Sequence, residues 1–259
     1  MPVRYGQSPW AVQLPKTSRP TYPKLVGRLD IPIVIVGGGL TGCATAYALA
    51  AAGHRVALIE AAQIATGATG QAAGLLLAAP GADFLDLEKA HGLRVARALW
   101  QDTRRASLDA QATLRRLKIR CNLQPCDAVA AARTDEEAKG LRRELSALKG
   151  AGLEATWLTG KALLQATGID GVGGIRSHGH ASLDPLRATL GLARAAAVRG
   201  AAVFDRSPVQ KIRVLRHGVE VVAGTATIAP GRSSSRRVNP AVCFPPWPVT
   251  SSRQRRMSR

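Results

Sequence analysis

From residue 31 the chain reads Ile31-Pro-Ile-Val-Ile-Val-Gly-Gly-Gly-Leu-Thr-Gly-Cys-Ala-Thr-Ala-Tyr-Ala-Leu-Ala-Ala-Ala-Gly-His-Arg-Val-Ala-Leu-Ile-Glu60. The order is strand, glycine turn, helix, strand. The β-branched run Ile33 to Val36 ends at glycine, as a buried parallel strand does. Gly37, Gly39 and Gly42 stand in G-x-G-x-x-G register. The first permits a tight turn, the second lets a pyrophosphate approach the backbone, and the third lets helix pack on strand. Phosphates would sit at the start of a helix beginning near Leu40 and Thr41, where unpaired amides and the dipole favour an anion. Glu60 closes the second strand, His54 to Ile59, 18 residues beyond Gly42. An acid near that spacing accepts hydrogen bonds from an adenosine ribose and argues against a 2′-phosphorylated cofactor, leaving NAD and FAD both open.

The next segment, Ala65-Thr-Gly-Ala-Thr-Gly-Gln-Ala-Ala-Gly-Leu-Leu, is small and Gly-rich. Here the chain resembles the FAD-dependent amine and D-amino-acid oxidase family, whose members follow the acid with such a loop beside the flavin. The resemblance continues through Cys121 to Ala132, the helix Asp135 to Leu148, Trp157-Leu-Thr-Gly-Lys, and Gly174 to Val209. It implies FAD as cofactor. Gly37, Gly38, Gly39, Leu40, Thr41 and Gly42 would hold the pyrophosphate, with Glu60 and Ala61 at the ribose. Thr69, Gly70 and Gln71 would lie near the flavin, and Val209 would offer its backbone to adenine. The loop departs from many relatives in having Thr69-Gly70-Gln71-Ala72 where they have Ser-Gly-Arg-Asn. The implied reaction is oxidation of an amine or amino acid by hydride transfer to flavin, with a small-molecule amine or amino acid as substrate partner. No catalytic side chain is identified, because the cofactor carries the hydride chemistry.

The expected fold is α/β: a Rossmann-like FAD-binding βαβ domain with an inserted, incomplete α+β substrate domain. Residues 30–120 and 185–230 are expected to form the discontinuous cofactor domain, and 121–184 the partial substrate domain. Residues 1–29 read as an extended basic arm containing Pro9, Pro15, Pro20 and Pro23. Apolar residues Leu93, Ala96, Leu99, Trp100, Leu108, Ala112 and Leu117 recur near a helical period, so Asp86 to Leu117 is one long helix or two, with Trp100 as packing. Helix Asp184 to Arg199, strand Ala201 to Asp205 and an antiparallel meander from Val209 to Ile228 follow. His178-Gly-His180 reads as an exposed turn lacking a third metal ligand.

After Ala229 the family would enter a buried strand ending Ala-Thr-Gly, and the nucleotide sheet is expected to lack that strand here. Residues 231–259 instead form an Arg/Ser/Pro-rich tail, expected to be disordered, as if the chain were an N-terminal portion with an aberrant end. A frameshift near Pro230 is the hypothesis that explains the change of composition. With TCN serine and CGN arginine codons, residues 232–239 read from the third codon position give three of Phe, Leu, Ile or Val. Two of Ser, Pro, Thr or Ala follow, then one of Cys, Arg, Ser or Gly. Val-Val-Val-Ala-Thr-Gly lies within that set. Resequencing the gene tests it, and an offset frame without the apolar, small, glycine pattern would sink the idea.

The composition frames these readings. The 259 residues carry a net charge of +19, from 36 bases and 17 acids. Yet seven arginines fall after residue 230 and five bases before residue 30, with no acid in either flank, leaving +7 on the centre. With acids interleaved at Asp135, Glu136, Glu137 and Glu144, the centre reads as a solvated enzyme surface. That argues against a nucleic-acid partner. Four scattered cysteines, Cys43, Cys121, Cys126 and Cys243, offer neither a disulfide framework nor a zinc site. Without an apolar leader or a run of roughly 20 apolar residues, a cytoplasmic location and no membrane partner are expected. Two competing readings are a non-catalytic remnant of such a flavoprotein with weak or no FAD binding, and a basic nucleic-acid-binding protein.

Overall fold

The computed structural model describes residues 8–215, 218–229 and 242–243, which divide into two compact units. The first is drawn from residues up to Gln71 and from Thr189 onward, the second from Ala72–Ala188.

The first unit opens with α1 (Pro9–Gln13), followed by one tight 3-10 turn at Lys16–Ser18 and by β1 (Arg28–Asp30). Then β2 (Ile33–Val36), α2 (Leu40–Ala51) and β3 (Val56–Ile59) form the expected βαβ unit. β2 and β3 are parallel, with Ile33 opposite Val56 and Val36 opposite Ile59. All four residues of β3 are buried, as a strand covered on both faces requires. β8 (Ala202–Phe204) adds in parallel on the far side of β3. A second sheet is made by β9 (Val209–Leu215), β10 (Gly218–Ala223) and β11 (Ala226–Ala229) in antiparallel sequence, with β1 parallel to β11. One core joins the two sheets: Ile31, Val34, Ala57 and Ile59 pack with Leu25, Val221, Ala223 and Ile228.

The second unit is an antiparallel sheet centred on β7 (Gly173–Ser182). β5 (Gln124–Ala132) runs along one side of it; on the other side β4 (Leu75–Leu76) pairs with one end and β6 (Thr156–Thr159) with the other. Helices α3 (Phe84–His91), α4 (Leu93–Arg116), α5 (Asp135–Gly150) and α6 (Gly160–Thr167) belong to this unit, and α7 (Pro185–Val198) leads out of it. The periodic run from residue 84 is two helices because Gly92, at φ +82°, breaks it. Phe84, Ala96, Leu145, Leu148 and Ile175 form the core here, and Trp100 meets Phe84 edge-on at 5.9 Å. Trp100 is thus packing, as the sequence indicated.

Five expectations need correction. Residues 1–29 are not simply an extended arm: within 8–29 there are a helix, a turn and the start of a strand. The domain boundary near 120 moves to Gln71, because α3 and α4 pack against α5 and β7. His178 and His180 lie in β7, not in a turn, and His180 is 3% exposed. Glu144 is not solvated; it is 7% exposed and accepts the Phe84 and Leu85 amides at 2.6 and 3.1 Å. It thereby caps the first turn of α3. The disorder expected of residues 231–259 lies outside the described residues, except at β12 (Val242–Cys243). Those two residues pair in parallel with Val34 and Ile35, so the side of β2 expected to lack a strand carries a short one.

Candidate cofactor-binding site

The site grows from the end of β2. The Gly37 amide donates to the Ile59 carbonyl at 2.8 Å, tying the turn to β3, and Gly37 itself adopts φ +107°. That conformation favours glycine. The chain then enters α2 with Gly39 as N-cap, which has no side chain to cap with. A β-carbon on Gly42 would collide with the Gly37 carbonyl oxygen, so the close packing of helix on turn demands glycine there.

Two side chains from outside the turn complete it. Glu60 sets one carboxylate oxygen 2.6 Å from the Gly38 amide and the other 2.8 Å from the Ala62 amide. Both oxygens retain acceptor capacity, because an ionised carboxylate has about four lone-pair sites. Thr69 reaches the helix start, where its Oγ1 accepts from the Leu40 amide at 3.0 Å. It does from 29 residues away what a local N-cap would do. Gly70 follows in tight contact, since a β-carbon on it would lie 2.6 Å from the Ala65 carbonyl. Ala65 in turn donates its amide to the Gly38 carbonyl at 2.9 Å, from a left-handed φ of +67°. The loop after Glu60 is therefore wound directly onto the glycine turn.

Gly37 through Gly42, Glu60, Ala61, Thr69 and Gly70 thus form one constellation. Gln71 is exposed at the end of that loop. Val209 opens β9 opposite Ala223, beside a bulge at residues 222 and 223. It follows the Ser207 amide, which donates to the Glu60 carbonyl at 2.9 Å. Through Thr69 the loop meets the start of α2. Sequence reasoning missed Ser207, Asp205 and the segment around Tyr22, all of which support Glu60 from behind. Only the short Asp-x-Ser pattern after β8 hinted at them.

Cys43, on the buried face of α2, has its thiol pushed up to about 12 by burial and then by the Glu60 carboxylate, so it stays protonated and unreactive. In the second unit, a cavity of about 300 Å³ is lined by Trp100, Arg104, Glu154, Ser177, His178 and His180 among others. His180 Nδ1 is 3.1 Å from the Ala78 amide and must accept from it. The ring proton therefore sits on Nε2, 3.0 Å from Ser177 Oγ. Donating its proton, His180 cannot act as a base toward Ser177, and no nucleophile is assembled. His178 instead pairs with Asp127 at 2.6 Å. Among the described residues no cluster could hold a metal ion, and no helix is long and apolar enough to cross a membrane.

A glycine turn opening a helix, an acid ending the next strand and small residues packed behind them define a dinucleotide-binding unit. The family model described as "DAO: FAD dependent oxidoreductase" matches residues 32–241. The chain belongs to that family. It is 28% identical over 196 residues to gamma-glutamylputrescine oxidoreductase of Escherichia coli K12, covering 75% of this chain and 45% of that protein. It is 34% identical over 188 residues to glycine oxidase of Geobacillus kaustophilus, covering 70% of this chain and 47% of that one. The crystal structure of the Geobacillus kaustophilus glycine oxidase superposes with a TM-score of 0.61 at 28% identity, over 79% of this chain and 54% of that one. The chain spans about half the length of the curated relatives it matches.

Proposed function

We propose that the first unit binds FAD and that the parent reaction is oxidation of a small amine or amino acid. The observation that carries this reading is the cradle at α2. At its first turn the Gly39, Thr41 and Gly42 amides have no intrahelical carbonyl to donate to, as at the start of any helix. The backbone there is stripped of β-carbons where an anion must approach. The residues present therefore fit the pyrophosphate of a dinucleotide. In this reading the α2 amides bind the phosphates and Glu60 receives the ribose hydroxyls. The loop from Thr69 to Gln71 continues toward the flavin, and Val209 presents backbone to adenine. Bound FAD supplies the hydride acceptor. The protein's own residues orient it, and the second unit is the substrate-facing part. The names of the matched relatives support the substrate class, since they are named for glycine and for gamma-glutamylputrescine.

The direct experiment is purification followed by a visible spectrum and titration with FAD. A flavin absorbance, or quenching of flavin fluorescence on titration, supports the reading. A protein that stays colourless with excess FAD, while its far-ultraviolet spectrum shows it folded, overturns it in favour of a non-catalytic remnant.

A further inference from the structure

The cradle has two sides, the Glu60 turn and the Thr69 loop, and one stretch of chain touches both supports. Around residue 22 the backbone is fastened to the turn after β8. The Tyr22 amide donates to Asp205 Oδ2 at 3.1 Å, the Arg206 guanidinium donates to the Tyr22 carbonyl at 2.7 Å, and the Asp205 amide donates to the Pro23 carbonyl at 3.2 Å. The Leu25 amide donates to Ser207 Oγ at 2.8 Å, and that hydroxyl donates to the Asp205 carbonyl at 2.8 Å. Asp205 and Ser207 are both buried. From this turn the Ser207 and Arg206 amides donate to the carbonyls of Glu60 and Ala62 at 2.9 and 2.6 Å. The segment therefore holds the Glu60 side through one intermediary.

The same segment reaches the other side through α1, which packs against Ala68–Gln71, the turn that carries Thr69. α1 has only five residues and no buried member. A helix that short does not persist by itself in water. It is held by Arg19, whose guanidinium donates to the Ala11 carbonyl at 3.0 Å and, through Nη2 and Nε, to the Leu14 carbonyl at 2.9 and 3.2 Å. These are the carbonyls at the end of α1, where a cation also meets the negative end of the helix.

We propose that residues 9–25 are a strap that sets the spacing between the Glu60 turn and the Thr69 loop, with Arg19 as the positioning residue. Resting on the FAD reading above, it makes the strap a determinant of cofactor affinity. A cradle whose sides are pre-set binds its ligand without ordering cost at the moment of binding.

The test uses the full chain and two variants, Arg19→Ala and Arg19→Lys. FAD affinity is read by flavin fluorescence, amide exchange by mass spectrometry on the cofactor-free protein, and global stability by urea unfolding. Loss of the charged donor should weaken FAD binding about tenfold, the scale of a bond to a charged group. Exchange should quicken in residues 9–14, 38–40 and 68–71 while the urea midpoint holds. Arg19→Lys, with charge but no fork, should fall between the alanine variant and wild type. In the wild-type protein, saturation with FAD should in turn slow exchange at Leu14, Tyr22 and Leu25, because linkage is reciprocal. Unchanged affinity in Arg19→Ala, or exchange that quickens evenly through the whole unit, overturns the strap as a positioning device. So does an FAD-saturated wild type whose strap amides exchange as before. Should the wild type take up no flavin, the FAD reading fails by itself, and localised against uniform exchange in Arg19→Ala still decides the strap.

Discussion

Replacing Glu60 by Gln removes a charge and one acceptor while keeping the shape of the side chain. In the structure both carboxylate oxygens are in use, one on the Gly38 amide at 2.6 Å and the other on the Ala62 amide at 2.8 Å. A carboxamide has a single acceptor oxygen, so in either orientation its NH2 group faces a backbone N–H. One charge-assisted bond is lost, worth about 1.5–3 kcal/mol, and a donor is left facing a donor. For a chain of this size, about 2 kcal/mol corresponds to a fall in Tm of roughly 4–8 °C. The assay is thermal unfolding of the cofactor-free protein followed by circular dichroism, paired with exchange at the Gly38 amide. FAD affinity should fall at least about tenfold as well, since a ribose hydroxyl would lose a charged acceptor. A variant that melts with the wild type and keeps slow exchange at Gly38 would show that the two bonds do not organise the turn, and the reasoning would be wrong.

Gly42→Ala drives a methyl group into the Gly37 carbonyl oxygen; overpacking of about 1–3 kcal/mol and loss of measurable FAD uptake are expected in melts and fluorescence titration. Thr69→Ala strips the Leu40 amide of its acceptor and should cost about 1 kcal/mol by urea unfolding, with Thr69→Ser retaining most of it. His180 is held below its ordinary value of 6.5 by burial and by His178, against the pull of Asp127. Above pH 6.5 the ring is neutral whether the chain is folded or not. Below it the unfolded chain takes a proton that the folded one refuses, so stability falls as pH drops. Urea midpoints at about pH 7.5 and about pH 5.5 should therefore differ less in His180→Gln than in the wild type; equal differences would refute this.

The βαβ unit was legible because its signals are local: a β-branched run, three glycines in register and an acid at the strand end all lie within thirty residues. The helical spacing of α3 and α4, and the alternation of the meander β9 to β11, were likewise visible. The strand β7 was not. Its Arg-Ser-His-Gly-His stretch looks like a turn, yet it sits between neighbours on both sides. Gly173 and Gly174 are there because the Trp157 ring and the Ala130 carbonyl leave no room for a β-carbon. Pairing partners chose its conformation, not its own propensity. Glu144 looked solvated for a similar reason, since the amides that bury it belong to a helix 59 and 60 residues earlier. At the site, the glycines and Glu60 could be read directly. The supports at Asp205 and Ser207 are defined only by what they hold across the chain.

That distance shapes how the protein is made. Tyr22 and Asp205 are 183 residues apart, and β8 is the partner that completes one side of β3. At a synthesis rate of about 5–20 residues per second, the glycine turn leaves the ribosome roughly 8–33 s before Asp205 and Ser207, which support it from across the chain. During that interval the whole second unit is translated, and β3 waits with an open edge composed of Val56, Ala57, Leu58 and Ile59. An apolar open edge of that kind is a template for wrong pairing. The nascent chain therefore passes through a window in which β2, β3 and the glycine turn can already pair with one another while the outer edge of β3 still has no native neighbour.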